Sequence, residues 1–158
     1  MEPIQDFSSL VSRLRALKKR KRVVVVCPND PHTEYVIIRS LREGFAEFLL
    51  VADTPHLLNA EYIRQQYPDY VKVFEASSPD VAAQEGVLLV REGHADVLMK
   101  GIINTDNLLR AVLNKEHGLL PKGNVLSHVT VAEIPTYNKL LFFSDAAVIP
   151  RPTLAHFD

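Results

Sequence analysis

Val23-Val24-Val25-Val26, four β-branched residues in succession, run directly into Cys27-Pro28. A strand with one wet face alternates apolar with polar residues, whereas an uninterrupted apolar run fits a parallel strand covered by helices on both faces. Upstream, Ile4, Phe7, Leu10, Val11, Leu14 and Leu17 recur at spacings of three and four, which predicts an amphipathic helix. The basic run Lys18-Lys19-Arg20-Lys21-Arg22 follows it and reads as a solvated stretch at a helix C-terminus, where cations complement the dipole. Downstream, the cycle of strand and helix repeats. Residues 33–42 have helical spacing with Gly44 as the cap, 45–51 a strand, 57–67 a helix that stops before Pro68, and 71–74 a short strand. Ser78-Pro79-Asp80 supplies a cap residue, a proline and a first-turn acid for a helix reaching about residue 91. Residues 96–99 form a fourth strand, Lys100-Gly101 a sharp turn, and 105–115 a further helix closed by Gly118. The alternation predicts βαβ units and a doubly wound, mostly parallel α/β sheet. After it, residues 125–134 alternate and 140–143 are apolar, with Pro135-Thr136-Tyr137-Asn138 between them, so an antiparallel hairpin is expected.

At 158 residues the chain has the length of about one domain. Eighteen Lys and Arg against nineteen Asp and Glu give a net charge of −1, so no overall cationic field draws it to nucleic acid or anionic lipid. Neither nucleic acid nor membrane is expected as a partner. One cysteine, Cys27, forms no internal disulfide and makes no cysteine-clustered zinc site, and the six histidines lack ligand spacing, so no metal is expected. With no signal-peptide pattern at residues 1–17, a cytoplasmic location is expected. Cys27 reads as inert core, not as a nucleophile.

In open α/β sheets ligands bind beyond the carboxyl ends of the strands. Those positions are Cys27-Pro28-Asn29-Asp30, Ala52-Asp53, Glu75-Ala76-Ser77, Lys100-Gly101 and Ser144-Asp145, and the richest is Lys100-Gly101-Ile102-Ile103-Asn104-Thr105. A lysine at a strand end, a glycine that permits close backbone approach, and a helix N-terminus capped by Asn104 or Thr105 suit a phosphate or carboxylate. The alternative is an ordinary turn. Arg110 lies further along that helix, either on a solvated face or toward an anion. Ser127-His128 interrupts the alternation of the hairpin's first strand, which places the two residues at a strand surface or in the same crevice as Lys100. No P-loop, dinucleotide fingerprint or serine-hydrolase elbow is present.

Met99-Lys100-Gly101, Thr105, Leu109-Arg110-Ala111-Val112-Leu113, Gly118-Leu119, Leu126-Ser127-His128-Val129 and Ser144-Asp145-Ala146-Ala147-Val148 stand in an order and spacing that resembles the phosphate acetyl/butyryltransferase family, and its butyryltransferase branch more closely. The resemblance implies an isocitrate/isopropylmalate dehydrogenase-like fold of two α/β lobes, of which this sequence holds one. It further implies reversible acyl transfer between coenzyme A and inorganic phosphate, with no tightly bound cofactor and coenzyme A as a substrate. Lys100 and Gly101 match the turn lining the cleft, Thr105 its helix cap, Arg110 an arginine that helps hold coenzyme A, Ser127 the serine after the glycine-containing loop, and Asp145 the aspartate ending the hairpin strand, with His128 counted among the substrate-binding residues.

Residues 1–22 are then an N-terminal helix and basic run, 23–150 the α/β lobe, and 151–158 the start of a connection to a second domain. The catalytic groups, including the general base, are expected in that further half. Small-molecule substrates and a homo-oligomer are expected, because the apolar 140–143 segment calls for cover. The alternative reading is a non-catalytic α/β module that binds a nucleotide-like anion or a protein partner. On the first reading, thioester formation from butyryl phosphate and coenzyme A by this 158-residue chain alone is expected to be slow. An enzyme-like rate in that assay overturns the placement of the base outside this sequence.

Overall fold

The computed structural model describes residues 4–53 and 57–144. They form two compact units: one spans residues 17–119, and the other joins the two ends of the chain, its described parts being 4–16 and 120–144.

The larger unit is built on β1 (Lys21–Val26), which pairs in parallel with β2 (Ala46–Asp53) on one side and β4 (Val97–Lys100) on the other. β3 (Val71–Ala76) adds to the far side of β2, giving the order β3-β2-β1-β4. The valine run does what its composition requires. Val24 and Val26 join Leu49, Val51, Ala82, Ala83 and Leu89 in one core layer, while Val25 joins Ile37, Leu41, Phe48, Leu50 and Ile63 in the other. Val24, Val25 and Val26 are completely buried, and each such side chain contributes about 1.5–3 kcal/mol. The second layer is supplied by α2 (Pro31–Glu43) and α3 (Leu57–Gln66), the first by α4 (Pro79–Arg91) and α5 (Thr105–Val112).

The caps follow the sequence signals. Asp30 accepts the N–H groups of His32 and Thr33 at the start of α2, Ser78 accepts that of Val81 at the start of α4, and Gly44 ends α2 at φ 79°. That left-handed value suits glycine. α5 is shorter than its apolar spacing suggests. It ends at Val112, and the Gly118 N–H donates back to Asn114 O at 2.9 Å in a turn beyond it.

The basic run is not a uniformly solvated stretch. Lys18, Lys19 and Lys21 are exposed, but the Arg20 guanidinium lies 3.9 Å over the Tyr70 ring and donates to Ala46 O at 2.7 Å. Arg22 donates to Gly93 O at 2.6 Å and pairs with Asp96 at 2.9 Å. Its two structural arginines therefore tie β1 to β2, β3 and β4 at their amino ends. Sequence periodicity misses this because the partners lie far along the chain.

In the smaller unit, α1 (Phe7–Ala16) begins at a reciprocal pair: Ser9 N donates to Asp6 Oδ1 at 2.6 Å and Asp6 N to Ser9 Oγ at 3.2 Å. The next N–H, that of Phe7, donates to Glu133. β5 (Val129–Ala132) and β6 (Leu141–Ser144) form the expected antiparallel pair, with Val131 opposite Phe142. The strand is shorter than residues 125–134. Ser127 and His128 break the apolar alternation and sit ahead of β5, not within it. Among the described residues, no helix is long and apolar enough to cross a membrane.

Asp96 accepts from both the side chain and the backbone N–H of Arg22, and its carboxyl is held down at about 2, chiefly by the side-chain hydrogen bond. A carboxylate whose folded value is depressed contributes stability that is present above its unfolded value near 4 and lost as pH falls from about 4 toward 2. Asp96→Asn is therefore expected to lower the melting temperature at pH 7 and to shallow its decline over that acid window. Parallel melts of both proteins at pH 7, 4 and 2.5 check this. Identical acid slopes contradict it.

Candidate functional site

Going from β1 to β2 and on to β3 the chain moves one way across the sheet, and from β3 to β4 it returns to the other side of β1. The order reverses between β1 and β4, so the loops after these two strands border the crevice where an open α/β sheet takes its ligand.

The two loops are joined through their backbones. Gly101 N donates to Val26 O and Ile102 N to Cys27 O, each at 2.9 Å. A Cβ at Gly101 would lie 2.1 Å from Cys27 O, so only glycine allows this approach. Cys27 itself is at φ 54°, a left-handed value uncommon for a residue other than glycine, and its N–H donates to Val51 O at 2.9 Å. Its side chain is buried, and burial, with the Asp53 carboxylate second, pushes the thiol up to about 11. A thiol that remains protonated at neutral pH is not a nucleophile.

From this junction the chain enters α5. Asn104 is the cap, its side chain accepting the Asp106 N–H at 2.9 Å, and Thr105 is the first helical residue. The cap role that the resemblance implies for Thr105 therefore belongs to its neighbour. Ile103 and Leu108 are buried and anchor the helix, leaving Thr105 exposed at its start. Lys100 is exposed at the end of β4, its ammonium 3.3 Å from Gly101 O. A cation beside a helix N-terminus suits an anion.

Arg110 lies on the same helix but faces a different surface, a groove of about 550 Å³ between α4 and α5 lined by Gln84, Leu88, Asn107, Ala111 and His117 among others. Asn107 donates to Asp80 at 2.7 Å and Arg91 to the Glu116 carbonyl, which fasten the two walls near opposite ends of α4. Arg110 is exposed and carries no ion pair among the described residues.

Lys100, Gly101 and Thr105 are thus brought together, with Arg110 on the adjoining groove of the same unit. Ser127 and His128 belong to the other unit: Ser127 is exposed, and His128 is half-buried with Nδ1 3.5 Å from Thr130 Oγ1. Asp145 lies outside the described residues. Among those described, no cluster of His, Cys, Asp and Glu could hold a metal ion. Sequence reasoning named Asn29 and Asp53 as strand-end positions but did not select them as candidates; they meet at the ends of β1 and β2, where Asn29 Nδ2 donates to Asp53 Oδ1 at 2.9 Å. The strand-end rule brought both into view, and only the pairing of β1 with β2 shows that they meet.

The chain is similar to known proteins. The family described as phosphate acetyl/butaryl transferase matches residues 75–157. A phosphate butyryltransferase of Clostridium beijerinckii is 38% identical over 149 residues, covering 94% of this chain and 48% of its own length. A phosphate acetyltransferase of Thermotoga maritima is 30% identical over 138 residues, covering 86% and 46%. The crystal structure of a branched-chain phosphotransacylase from Enterococcus faecalis V583 superposes with a TM-score of 0.70 at 29% identity, covering 86% of this chain and 46% of its own. The chain spans about half the length of the curated relatives it matches.

Gly101→Ala is expected to force β4 away from β1 at the crevice and to destabilise the chain by about 1–3 kcal/mol, the usual range for overpacking. Chemical denaturation checks this, and an unchanged midpoint contradicts the close approach.

Proposed function

The chain belongs to the phosphate acetyl/butaryl transferase family, and on that premise we propose that it contributes the anion-receiving lobe of a phosphate acyltransferase, exchanging an acyl group reversibly between coenzyme A and inorganic phosphate. The observation that carries this reading is the Lys100-Gly101 turn, seated at the point where strand order reverses and opening directly into the N-terminus of α5. Both substrates are polyanions, and a lysine, a helix N-terminus and an unpaired arginine are suitable receivers.

In the reaction the coenzyme A sulfur, its proton taken by a base, attacks the acyl phosphate carbonyl carbon. The tetrahedral intermediate carries its charge on oxygen, and phosphate leaves with the electron pair of the carbon–oxygen bond. Lys100, beside the N-terminus of α5, receives phosphate oxygens, Thr105 donates from its hydroxyl, and Arg110 receives a phosphate of coenzyme A. Ser127, His128 and Asp145 contribute hydrogen bonds or orientation. Coenzyme A acts as a substrate, with no resident cofactor in the reading. The higher identity to butyryltransferases than to acetyltransferases favours a butyryl-sized acyl group. Exposure of Val129 and Phe142 on the β5–β6 pair supports a homo-oligomer as part of the same proposal.

Coenzyme A at a hundredfold above its dissociation constant stabilises a binding protein by about 2.7 kcal/mol, which raises the melting temperature of a domain this size by several degrees. Lys100→Ala and Arg110→Ala each remove a charge-assisted contact worth about 1.5–3 kcal/mol, so each is expected to weaken coenzyme A binding roughly tenfold or more and together to abolish the thermal shift. A shift of wild-type size in the double variant contradicts the proposed site.

A further inference from the structure

We propose that Asn29 is a substrate-binding residue of the β1/β4 crevice, its side-chain carbonyl accepting a hydrogen bond from an amide N–H of the pantetheine arm of coenzyme A. The inference rests on the reading of that crevice as the coenzyme A site and adds to it the part of the molecule that the cations do not address.

The amide orientation is fixed by its neighbour. A carboxylate only accepts, so the Asn29 nitrogen must face Asp53, as it does at 2.9 Å, and the oxygen is turned elsewhere. That oxygen is buried and has no hydrogen-bond partner among the described residues. Buried acceptors left in this condition are few in folded proteins, and each calls for a donor. The place is also specific. Asn29 N and Ile102 N donate to the same Cys27 carbonyl, each at 2.9 Å, which brings the loop after β1 and the loop after β4 within two hydrogen-bond lengths of one another. Asn29 as a residue is half-buried, with its oxygen on the inner side.

Charge decides which part of the ligand this is. Asp30 and Asp53 stand on the Asn29 side, and hydrogen bonds from Thr33 hold the Asp30 carboxyl below its usual range, so it is ionised at neutral pH. A second phosphate there meets two carboxylates. A neutral group that donates does not. Lys100, the start of α5 and Arg110 take phosphate, and the uncharged amides of the pantetheine arm supply the N–H that the Asn29 oxygen lacks.

The test is calorimetric titration of the 158-residue chain with coenzyme A and, separately, with adenosine 3′,5′-bisphosphate, which keeps the nucleotide and loses the arm. Wild type is expected to bind coenzyme A more tightly than the bisphosphate. Asn29→Ala is expected to weaken coenzyme A about tenfold and to leave the bisphosphate unchanged, and Asn29→Leu, which fills the same volume without polar atoms, is expected to do the same should the alanine variant not fold. Folded variants that bind coenzyme A like wild type overturn the role of Asn29 while leaving the crevice reading intact. A wild-type chain that binds neither ligand overturns the crevice reading and the inference with it.

Discussion

The junction between the ends of β1 and β4 constrains the rest of the larger unit. Val26 and Cys27 offer their carbonyls to Gly101 and Ile102, and the absence of a side chain at Gly101 lets the two backbones close to hydrogen-bonding distance. This contact sets the register in which Val26 lies beside Lys100, and so places the lysine at the mouth of the crevice and not one pleat lower. It also accounts for the left-handed backbone at Cys27, whose carbonyl must serve both Asn29 and Ile102 while its N–H still reaches Val51. Strain of this kind persists where surrounding hydrogen bonds over-determine it.

Burial and electrostatics divide the labour along each strand. The middle of β1 is fixed by apolar packing on both faces, which far outweighs any single surface ion pair, since partly exposed pairs contribute about 0–1 kcal/mol. The polar work is done at the strand ends. At the amino ends Arg20 and Arg22 are committed to carbonyls and to the Asp96 carboxylate. At the carboxyl ends, among the described residues, Lys100 has only its weak contact to Gly101 O, and Asn29 keeps an unanswered oxygen. A satisfied end is structural and an unsatisfied end is available, which is the physical content of the rule that ligands bind beyond the carboxyl ends.

The fold was legible because a parallel strand leaves a dense signal: Val23 to Val26 could not be one-faced, and Gly44 and Ser78 marked helix ends through local chemistry that needs no distant partner. Lys100, Gly101 and the α5 start were legible for the same reason. What escaped depends on pairs far apart in the chain. Arg22 looked like one cation in a run, and its role appears only with Asp96, seventy-four residues away. Asn29 and Asp53 are twenty-four residues apart and meet only because β1 and β2 are neighbours in register. The Thr105 assignment failed more locally, since Asn104 and Thr105 are both competent caps and backbone geometry alone decides between them.

Arg110 shows how a single helix can serve two surfaces. α5 presents its N-terminus to the β1/β4 crevice and its flank to α4, and at 1.5 Å per residue Arg110 lies about 7.5 Å along the axis from Thr105. A compact anion such as phosphate cannot bridge that interval, whereas an extended ligand with phosphates at one end and a reactive group at the other can. On the proposed function, that interval suits a long, multiply charged substrate over a compact one.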